Sequence, residues 1–171
     1  DACKPDEFIS IQDSHDKGQT WKTPQTGTIT GDWSQVFVEG FTLTVFNFEK
    51  LSDGALLLVL IRQYPGFFDR LPGQGQPTWP TRMAQPSVTR SDDGGLTWQP
   101  PVPMDHAAMY HGDPPASHCC DFTETSLGQL SDGRIVAVSR PFASPFAWYS
   151  HSDDGGRSWS VARYLPFSIA G

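Results

Sequence analysis

Short apolar runs separated by turn residues dominate the pattern of hydrophobic and polar positions in this 171-residue chain. The longest uninterrupted apolar run, residues 55–61, has the length of a strand and is too short to span a bilayer. No segment shows convincing 3.6-residue periodicity, so long helices are not expected. Fifteen prolines and sixteen glycines suit tight turns between strands. The pattern predicts an all-β chain.

An eight-residue motif occurs three times, at residues 14–21, 91–98 and 152–159, and each copy reads Ser-x-Asp-x-Gly-x-Thr/Ser-Trp. The Asp carboxylate can accept backbone N–H bonds within a turn, and the Gly can adopt a backbone conformation that other residues resist. The Trp can anchor the turn in a core. We interpret the motif as a structural turn, because it offers too few oxygens at the wrong spacing for a calcium loop.

Two hairpin signals precede the second and third motifs. Residues 51–54 and 130–133 both read Leu-Ser-Asp-Gly, and an apolar run follows each. Asp-Gly between apolar runs is a strong hairpin signal. A full repeat therefore reads strand, Asp-Gly turn, strand, loop, strand, motif, strand. This order predicts a four-stranded antiparallel blade, the unit of a β-propeller.

The three motifs and two hairpins together resemble the sialidase (neuraminidase) superfamily, whose motif is called the Asp-box or bacterial neuraminidase repeat. The resemblance covers most of the chain and implies a six-bladed propeller, of which residues 1–171 are a fragment resembling the central blades. We expect a partial blade over residues 1–40, a blade over 41–101 and a blade over 122–165. The expected fold is therefore about two and a half blades of a sialidase-type β-propeller.

Charge and chain ends narrow the classes of partner and compartment. The net charge of −7 argues against nucleic acid or an anionic membrane surface as partner. The sequence has no initiator Met and no signal peptide, which predicts a chain processed or excised from a longer protein. Cysteine content and the resemblance together favour a secreted or periplasmic protein. A partial propeller is expected to associate with the remaining blades or with itself.

The three cysteines leave the redox chemistry open. Cys3 stands alone, whereas Cys119 and Cys120 are adjacent. In a secreted chain one of the pair could bridge to Cys3, which would leave an odd thiol. A metal site with the histidines of residues 106–118 is disfavoured, because the spacing matches no zinc pattern. We expect no metal and no cofactor.

One hairpin carries a charged pair that suggests chemistry. Glu124 and Arg140 are equidistant in sequence from Asp132 at the turn, so they are expected to lie opposite each other at the open end of the hairpin. The loops 62–86 and 100–121 are expected at the same end, where binding residues usually lie. An ordinary cross-strand ion pair is the alternative interpretation, and an exposed one contributes little to stability.

The resemblance gives this pair a role. Sialidases place a Glu before such a hairpin and an Arg after it, and here Glu124, Leu-Ser-Asp-Gly-Arg at 130–134 and Ser-Arg at 139–140 are similar to that pattern. This implies that Arg140 is one of three arginines that bind the sialic acid carboxylate, for which a guanidinium fork is suited. It also implies that Glu124 is the base for a nucleophilic tyrosine. The tyrosine, the acid/base aspartate and the other arginines are not located; Asp69 is a weak candidate for the acid.

Two functions from different classes remain after these arguments. The first is an exo-α-sialidase, a glycoside hydrolase that releases terminal sialic acid from glycoconjugates. The second is a non-catalytic Asp-box module that binds glycans or organises an assembly. Arg62, after the first hairpin, is interpreted as a scaffold residue or loop anchor, because Thr44 or Val45 is expected opposite it and not a Glu. The aromatic residues between 64 and 79 are expected to pack on themselves more often than to form a sugar platform.

Overall fold

The computed structural model describes residues 9–34, 36–37, 42–63, 84–104, 122–141 and 146–168. Regular structure in these segments is entirely β, and they contain no helix that could cross a membrane. The all-β prediction is confirmed. In chain order the strands are β1 Ile9–Ile11, β2 Gln25–Ile29, β3 Thr42–Lys50, β4 Leu56–Gln63, β5 Ala84–Ser91, β6 Thr97–Trp98, β7 Val102–Pro103, β8 Phe122–Gln129, β9 Ile135–Pro141, β10 Phe146–Ser152 and β11 Arg163–Ser168.

These strands form three sheets. The first has the order β1-β2-β6, the second β3-β4-β5-β7 and the third β8-β9-β10-β11. Every pairing in the second and third sheets is antiparallel. Strands that follow one another in sequence are neighbours in both sheets, except that β7 and not β6 pairs with β5. Each of these two sheets is therefore a four-stranded blade of the predicted kind.

Strand β6 differs from the expected blade. The residues that end the second Asp-box, Thr97 and Trp98, leave the second sheet and pair in parallel with Thr28 and Ile29 of β2. The fourth strand of the second sheet is the next short segment, β7, which pairs with β5. The strand that ends the second Asp-box therefore pairs with the first sheet before the second blade is completed by β7.

Strand β4 lies at the centre of the described structure and is buried on both faces. Its even-numbered residues, Leu56, Leu58 and Leu60, belong to a core shared with the first sheet and with Trp98. Its odd-numbered residues face the third sheet and pack in a second core, which also contains Ile135. The second core is completed by the following buried residues: Leu51, Ala55, Leu57, Val59, Ile61, Val88, Met104 and Ala137. Burial on both faces explains why this strand is an uninterrupted apolar run.

In the second and third sheets the hairpin turn and the Asp-box lie at the same end. In the second sheet Arg90, next to the Asp-box, donates to Asp53 of the hairpin turn at 3.1 Å. In the third sheet Arg134 of the hairpin donates to Asp153 of the Asp-box at 2.9 Å. The other end of each hairpin is therefore the open end, where Glu124 lies.

Candidate functional site

The hairpin of β8 and β9 carries the candidate site, and its tight turn fixes the register. The Leu130 N–H donates to the Arg134 carbonyl at 2.8 Å, and the Gly133 N–H donates to the Leu130 carbonyl at 3.0 Å. Gly133 has φ of 89°, a left-handed conformation that glycine adopts without strain. The Asp132 carboxylate accepts the Arg134 N–H at 3.0 Å. The sequence Leu-Ser-Asp-Gly-Arg thus closes the turn by local bonds.

This turn places Glu124 and Arg140 together. The ladder is regular from the turn to Thr125 opposite Ser139, and an irregularity follows on β8. At that irregularity Arg140 Nη1 donates to Glu124 Oε2 at 2.9 Å. The predicted neighbourhood of the two side chains is present in the structure. Their catalytic and binding roles remain predictions.

The charged pair is exposed on a rigid base. The side chains of Arg140 and Glu124 are 61% and 48% exposed. One position closer to the turn, the hydroxyl groups of Thr125 and Ser139 lie 2.9 Å apart in a buried hydrogen bond. An exposed ion pair contributes about 0–1 kcal/mol to stability, so the fold does not depend on this one. The guanidinium of Arg140 is accessible to a ligand carboxylate from solvent. The paired strands β8 and β9 hold the backbone of Arg140 in place.

The Asp-boxes have the geometry of structural turns. In each, one carboxylate oxygen accepts the N–H of the Thr or Ser before the Trp and the other accepts its hydroxyl, at 2.5–2.9 Å. The hydroxyl of the first Ser also accepts the N–H of the motif glycine. Among the described residues no group of three or more His, Cys, Asp or Glu could hold a metal ion.

The hydrogen bonds acidify these aspartates. The Thr97 hydroxyl and N–H lower the pKa of Asp93 from 3.8 to about 2. The same bonds from Thr20 lower the pKa of Asp16 to about 2. Desolvation, which raises the pKa of Asp154, is outweighed by the bonds from Ser158, so this pKa also falls to about 2.

Arg62 lies at the equivalent end of the second sheet and has Leu43 opposite it. We expected Thr44 or Val45 there, and that expectation was wrong by one residue. A β-bulge between Val45 and Asn47 shifts the register beyond it. The expectation that no Glu faces Arg62 is confirmed.

Several sequence-based predictions fall outside the described residues. These concern Cys3, Cys119, Cys120, Asp69 and the aromatic and histidine residues of the two long loops.

Two features near the Asp-boxes were not predicted. Arg90 is buried, with its side chain 6% exposed, and Nε donates to Asp92 at 2.7 Å. Desolvation, which lowers the pKa of Arg90, is outweighed by the Asp92 and Asp53 carboxylates, so the pKa lies above its ordinary value. His151 lines a cleft on the third sheet. Both residues directly precede the first Ser of an Asp-box, and this position was the available signal.

Comparison with known proteins agrees with the geometry. The BNR/Asp-box repeat family model matches residues 89–100, the second motif. The K499G mutant of NanB sialidase from Streptococcus pneumoniae superposes with a TM-score of 0.51 at 18% identity, covering 91% of this chain and 18% of that chain. The Hadza microbial sialidase Hz136 gives a TM-score of 0.52 at 20% identity, covering 88% of this chain and 30% of that chain. The chain has a sialidase-type β-propeller fold.

The structural matches cover most of this chain but only a small part of each sialidase. A complex of NanB with 2-[(3-chlorobenzyl)ammonio]ethanesulfonate gives a TM-score of 0.52 at 18% identity, covering 92% of this chain and 19% of that chain. The chain thus spans between 18% and 30% of the length of these sialidases. No curated protein sequence matches it. The sialidase-type fold is established, whereas activity and substrate belong to the proposal that follows.

Proposed function

We propose that this chain carries part of the sialic-acid site of an exo-α-sialidase, a secreted or periplasmic glycoside hydrolase. The observation that supports the proposal most directly is the Arg140–Glu124 pair, joined at 2.9 Å and exposed at the open end of a hairpin. The sialidase-type fold supports it independently. The other arginines, the nucleophilic tyrosine and the acid/base aspartate would come from elsewhere in the propeller.

The two residues suit two different tasks. Arg140 carries a planar guanidinium that remains charged at any physiological pH and can bind a carboxylate through two parallel N–H bonds. Glu124 is an ionisable acceptor beside it, suited to taking the phenolic proton of a tyrosine as that oxygen attacks the anomeric carbon. When a ligand carboxylate binds Arg140, it competes with Glu124 for the same guanidinium. Substrate binding would therefore release the Glu124 carboxylate for proton transfer.

Exposed apolar side chains on β3 support an association of this chain with further blades or with a second copy. Val45, Phe46 and Phe48 of β3 are all more than two-fifths exposed. Val45 and Phe48 pair in register with β4 residues of the core shared with the first sheet. We propose that the remaining propeller blades, or self-association, cover this apolar surface. The same exposed side chains favour the second candidate function, a non-catalytic Asp-box module that binds glycans or organises an assembly.

The test is the affinity for a sialic acid analogue measured by calorimetry on the assembled protein. Arg140→Lys keeps the charge but loses the fork, so we expect roughly a tenfold or greater loss of affinity. Arg134→Lys, in the same hairpin but at the turn end, is the matched control and should bind like the wild type. Equal affinities for Arg140→Lys and the wild type would exclude the proposed carboxylate site.

Hydrolysis distinguishes the two functions. With a fluorogenic sialoside, Glu124→Gln should lower kcat by roughly 100-fold or more if Glu124 is the base. Binding of the analogue without turnover by the wild-type assembly would instead support the non-catalytic module. Thr125→Ser, which keeps the buried hydroxyl below the pair, controls for a loss of hairpin structure.

A further inference from the structure

An asparagine of the second sheet holds the strand that carries Glu124. Asn47 Oδ1 accepts the N–H of Leu127 on β8 at 3.2 Å. Because a backbone N–H can only donate, the amide oxygen of Asn47 must face it, which fixes the orientation of the side chain. Strands β3 and β8 belong to different sheets. The bond therefore joins two blades that share no strand pairing.

The Leu127 N–H requires an acceptor outside its own sheet. Strand β8 is an edge strand of the third sheet, so every second N–H along it has no neighbouring strand to bond. The Leu130 N–H donates to Arg134 within the hairpin, and so the N–H groups of even-numbered residues of β8 face β9. The Leu127 N–H points the other way. Asn47 supplies the acceptor that this half-buried donor would otherwise lack.

The geometry of the second sheet directs Asn47 at β8. Asn47 lies directly after the β-bulge of β3 and is the register partner of Val59. Val59 belongs to the core that the second sheet shares with the third. Register partners lie on the same face of a sheet, so Asn47 is on the face that meets β8. Its neighbours Phe46 and Phe48 are instead more than two-fifths exposed.

A glutamine holds the turn end of the same strand. Gln129 Oε1 accepts the N–H of Ser52, in the hairpin turn of the second sheet, at 2.7 Å. Strand β8 is thus bonded to the second blade both at the turn and in its middle. The bond from Asn47 is the one nearer the candidate site. Leu127 is three residues from Glu124, whereas Gln129 is five residues away.

The part of β8 between Leu127 and Glu124 is held firmly. Thr125, Ser126 and Leu127 all pair regularly with β9. The Thr125 hydroxyl also makes its buried bond of 2.9 Å with Ser139. Glu124 is the next residue beyond this regular ladder. A displacement of Leu127 against the second blade would therefore carry Glu124 with it, over a distance of about 10 Å along the strand.

We propose that Asn47 is a positioning residue for the candidate site. It sets the position of β8 against the second blade, and so the point at which Glu124 meets the groups that other blades contribute. This inference rests on the proposed function, in which Glu124 takes a proton from a tyrosine elsewhere in the propeller. Proton transfer requires the two oxygens to approach to about 2.6–3.2 Å. The long, flexible side chain of Arg140 can adjust to a small displacement, so loss of the Asn47 bond should slow the chemical step more than it weakens binding.

Hydrogen exchange measured by NMR on the chain itself tests the bond. In Asn47→Ala the Leu127 amide should exchange at least about tenfold faster than in the wild type. The Leu130 amide, which is bonded within its own hairpin, should not change. Asn47→Asp keeps an oxygen acceptor at the same place and should restore slow exchange. Circular dichroism establishes that both variants are folded. Equal exchange of the Leu127 amide in the wild type and Asn47→Ala would overturn the proposal.

Turnover of a fluorogenic sialoside by the assembled protein tests the positioning. Asn47→Ala should lower kcat by about tenfold and change KM by less than about twofold, and Asn47→Asp should restore kcat. Lys50→Arg, exposed at the turn end of the same strand, should behave as the wild type. If Asn47→Ala speeds exchange of the Leu127 amide but leaves kcat unchanged, Asn47 holds β8 without positioning Glu124, and the proposal is wrong.

A measurement without substrate separates this inference from the proposed function. Residual dipolar couplings, measured by NMR on the chain, give the orientation of β8 relative to β4. This orientation should change in Asn47→Ala and return in Asn47→Asp. A wild type that hydrolyses no sialoside would contradict the proposed function, and the couplings would still show whether Asn47 sets the position of the strand that carries Glu124. Couplings unaffected by Asn47→Ala would overturn the inference, whatever the activity.

Discussion

The second and first Asp-boxes contain the same turn in two different surroundings. In both, the carboxylate accepts the same two bonds, from Thr97 to Asp93 and from Thr20 to Asp16, with lengths that agree within 0.1 Å. The tryptophans differ. Trp98 is fully buried and its indole N–H donates to the Gly95 carbonyl, whereas Trp21 is 61% exposed.

This difference separates what the motif determines from what the neighbouring sheet determines. The turn forms from local bonds between residues no more than four positions apart, so it is the same with or without a covering sheet. The burial of the tryptophan requires a preceding sheet, because Trp98 packs in the core with the first sheet and Trp159 packs against the core of the second. The second and third Asp-boxes therefore each attach their blade to the blade before it.

Replacement of the two tryptophans should give the largest contrast. Trp98→Ala removes a fully buried indole and should lower the free energy of unfolding by about 3–5 kcal/mol. Trp21→Ala should change it by less than about 0.5 kcal/mol under conditions where the chain is monomeric. Urea unfolding followed by circular dichroism measures both. Similar losses for the two variants would mean that Trp21 is packed against the chain.

The residue before each Asp-box gives the second contrast. Arg90→Met removes the bonds to Asp53, Asp92 and the Gly155 carbonyl, and it leaves that carbonyl without its donor at the junction of two sheets. We expect a loss of about 1–3 kcal/mol in the free energy of unfolding. Asp13→Ala, at the same position of the first Asp-box, should cost less than about 0.5 kcal/mol. A neutral Arg90→Met would show that the junction is held by apolar contacts alone.

The features that sequence predicted correctly are those made by local bonds. The Leu-Ser-Asp-Gly turns and the three Asp-boxes form within four to eight residues, and their residue types are those that such turns require. Glu124 and Arg140 were placed together because a tight turn fixes the register of the hairpin that follows it. Only their proximity was predictable in this way. Their proposed roles depend on residues elsewhere in a propeller.

The features that sequence did not predict depend on distant contacts or on a register shift. The parallel pairing of β6 with β2 joins residues 69 positions apart, and no local pattern specifies it. The bulge on β3 moved Leu43 opposite Arg62, and alternating apolar residues do not reveal where an extra residue enters a strand. No local pattern identifies Arg90 as a buried cation, since the Gly155 carbonyl that it donates to lies 65 residues away.

Removal of an Asp-box carboxylate should lower the free energy of unfolding by less than Trp98→Ala or Arg90→Met. Asp93→Ala removes the acceptor of the Thr97 N–H and hydroxyl at the solvent-facing side of the turn. Water can replace part of these bonds, so we expect a loss of about 1–2 kcal/mol in the free energy of unfolding. The proposed binding of a sialic acid analogue at Arg140 should not change. A variant that kept its melting temperature but lost this binding would contradict the structural role of the Asp-box.

Acidification should give the smallest effect, and it tests whether the turn is local. The pKa values of Asp16 and Asp93 are about 2 in the folded chain, below the ordinary 3.8. Their contribution to stability is therefore fully present above pH 3.8 and is lost as the pH falls toward about 2. Because both carboxylates are exposed, solvent and salt reduce this contribution.

The comparison of two asparagine variants makes this test decisive. Asp16→Asn and Asp93→Asn each remove one titrating group, so each should flatten the decline of the urea midpoint between pH 5 and pH 2.5. The two variants should flatten the profile equally, because the hydrogen bonds that lower the two pKa values come from Thr20 and Thr97 at equivalent positions. The difference in tryptophan burial, with Trp21 exposed and Trp98 fully buried, should have no effect. If only Asp93→Asn flattened the profile, the acidity of the box would depend on burial of its tryptophan. Equal flattening would show that the bonds within the box suffice to build the turn, and that the neighbouring blade contributes only the packing.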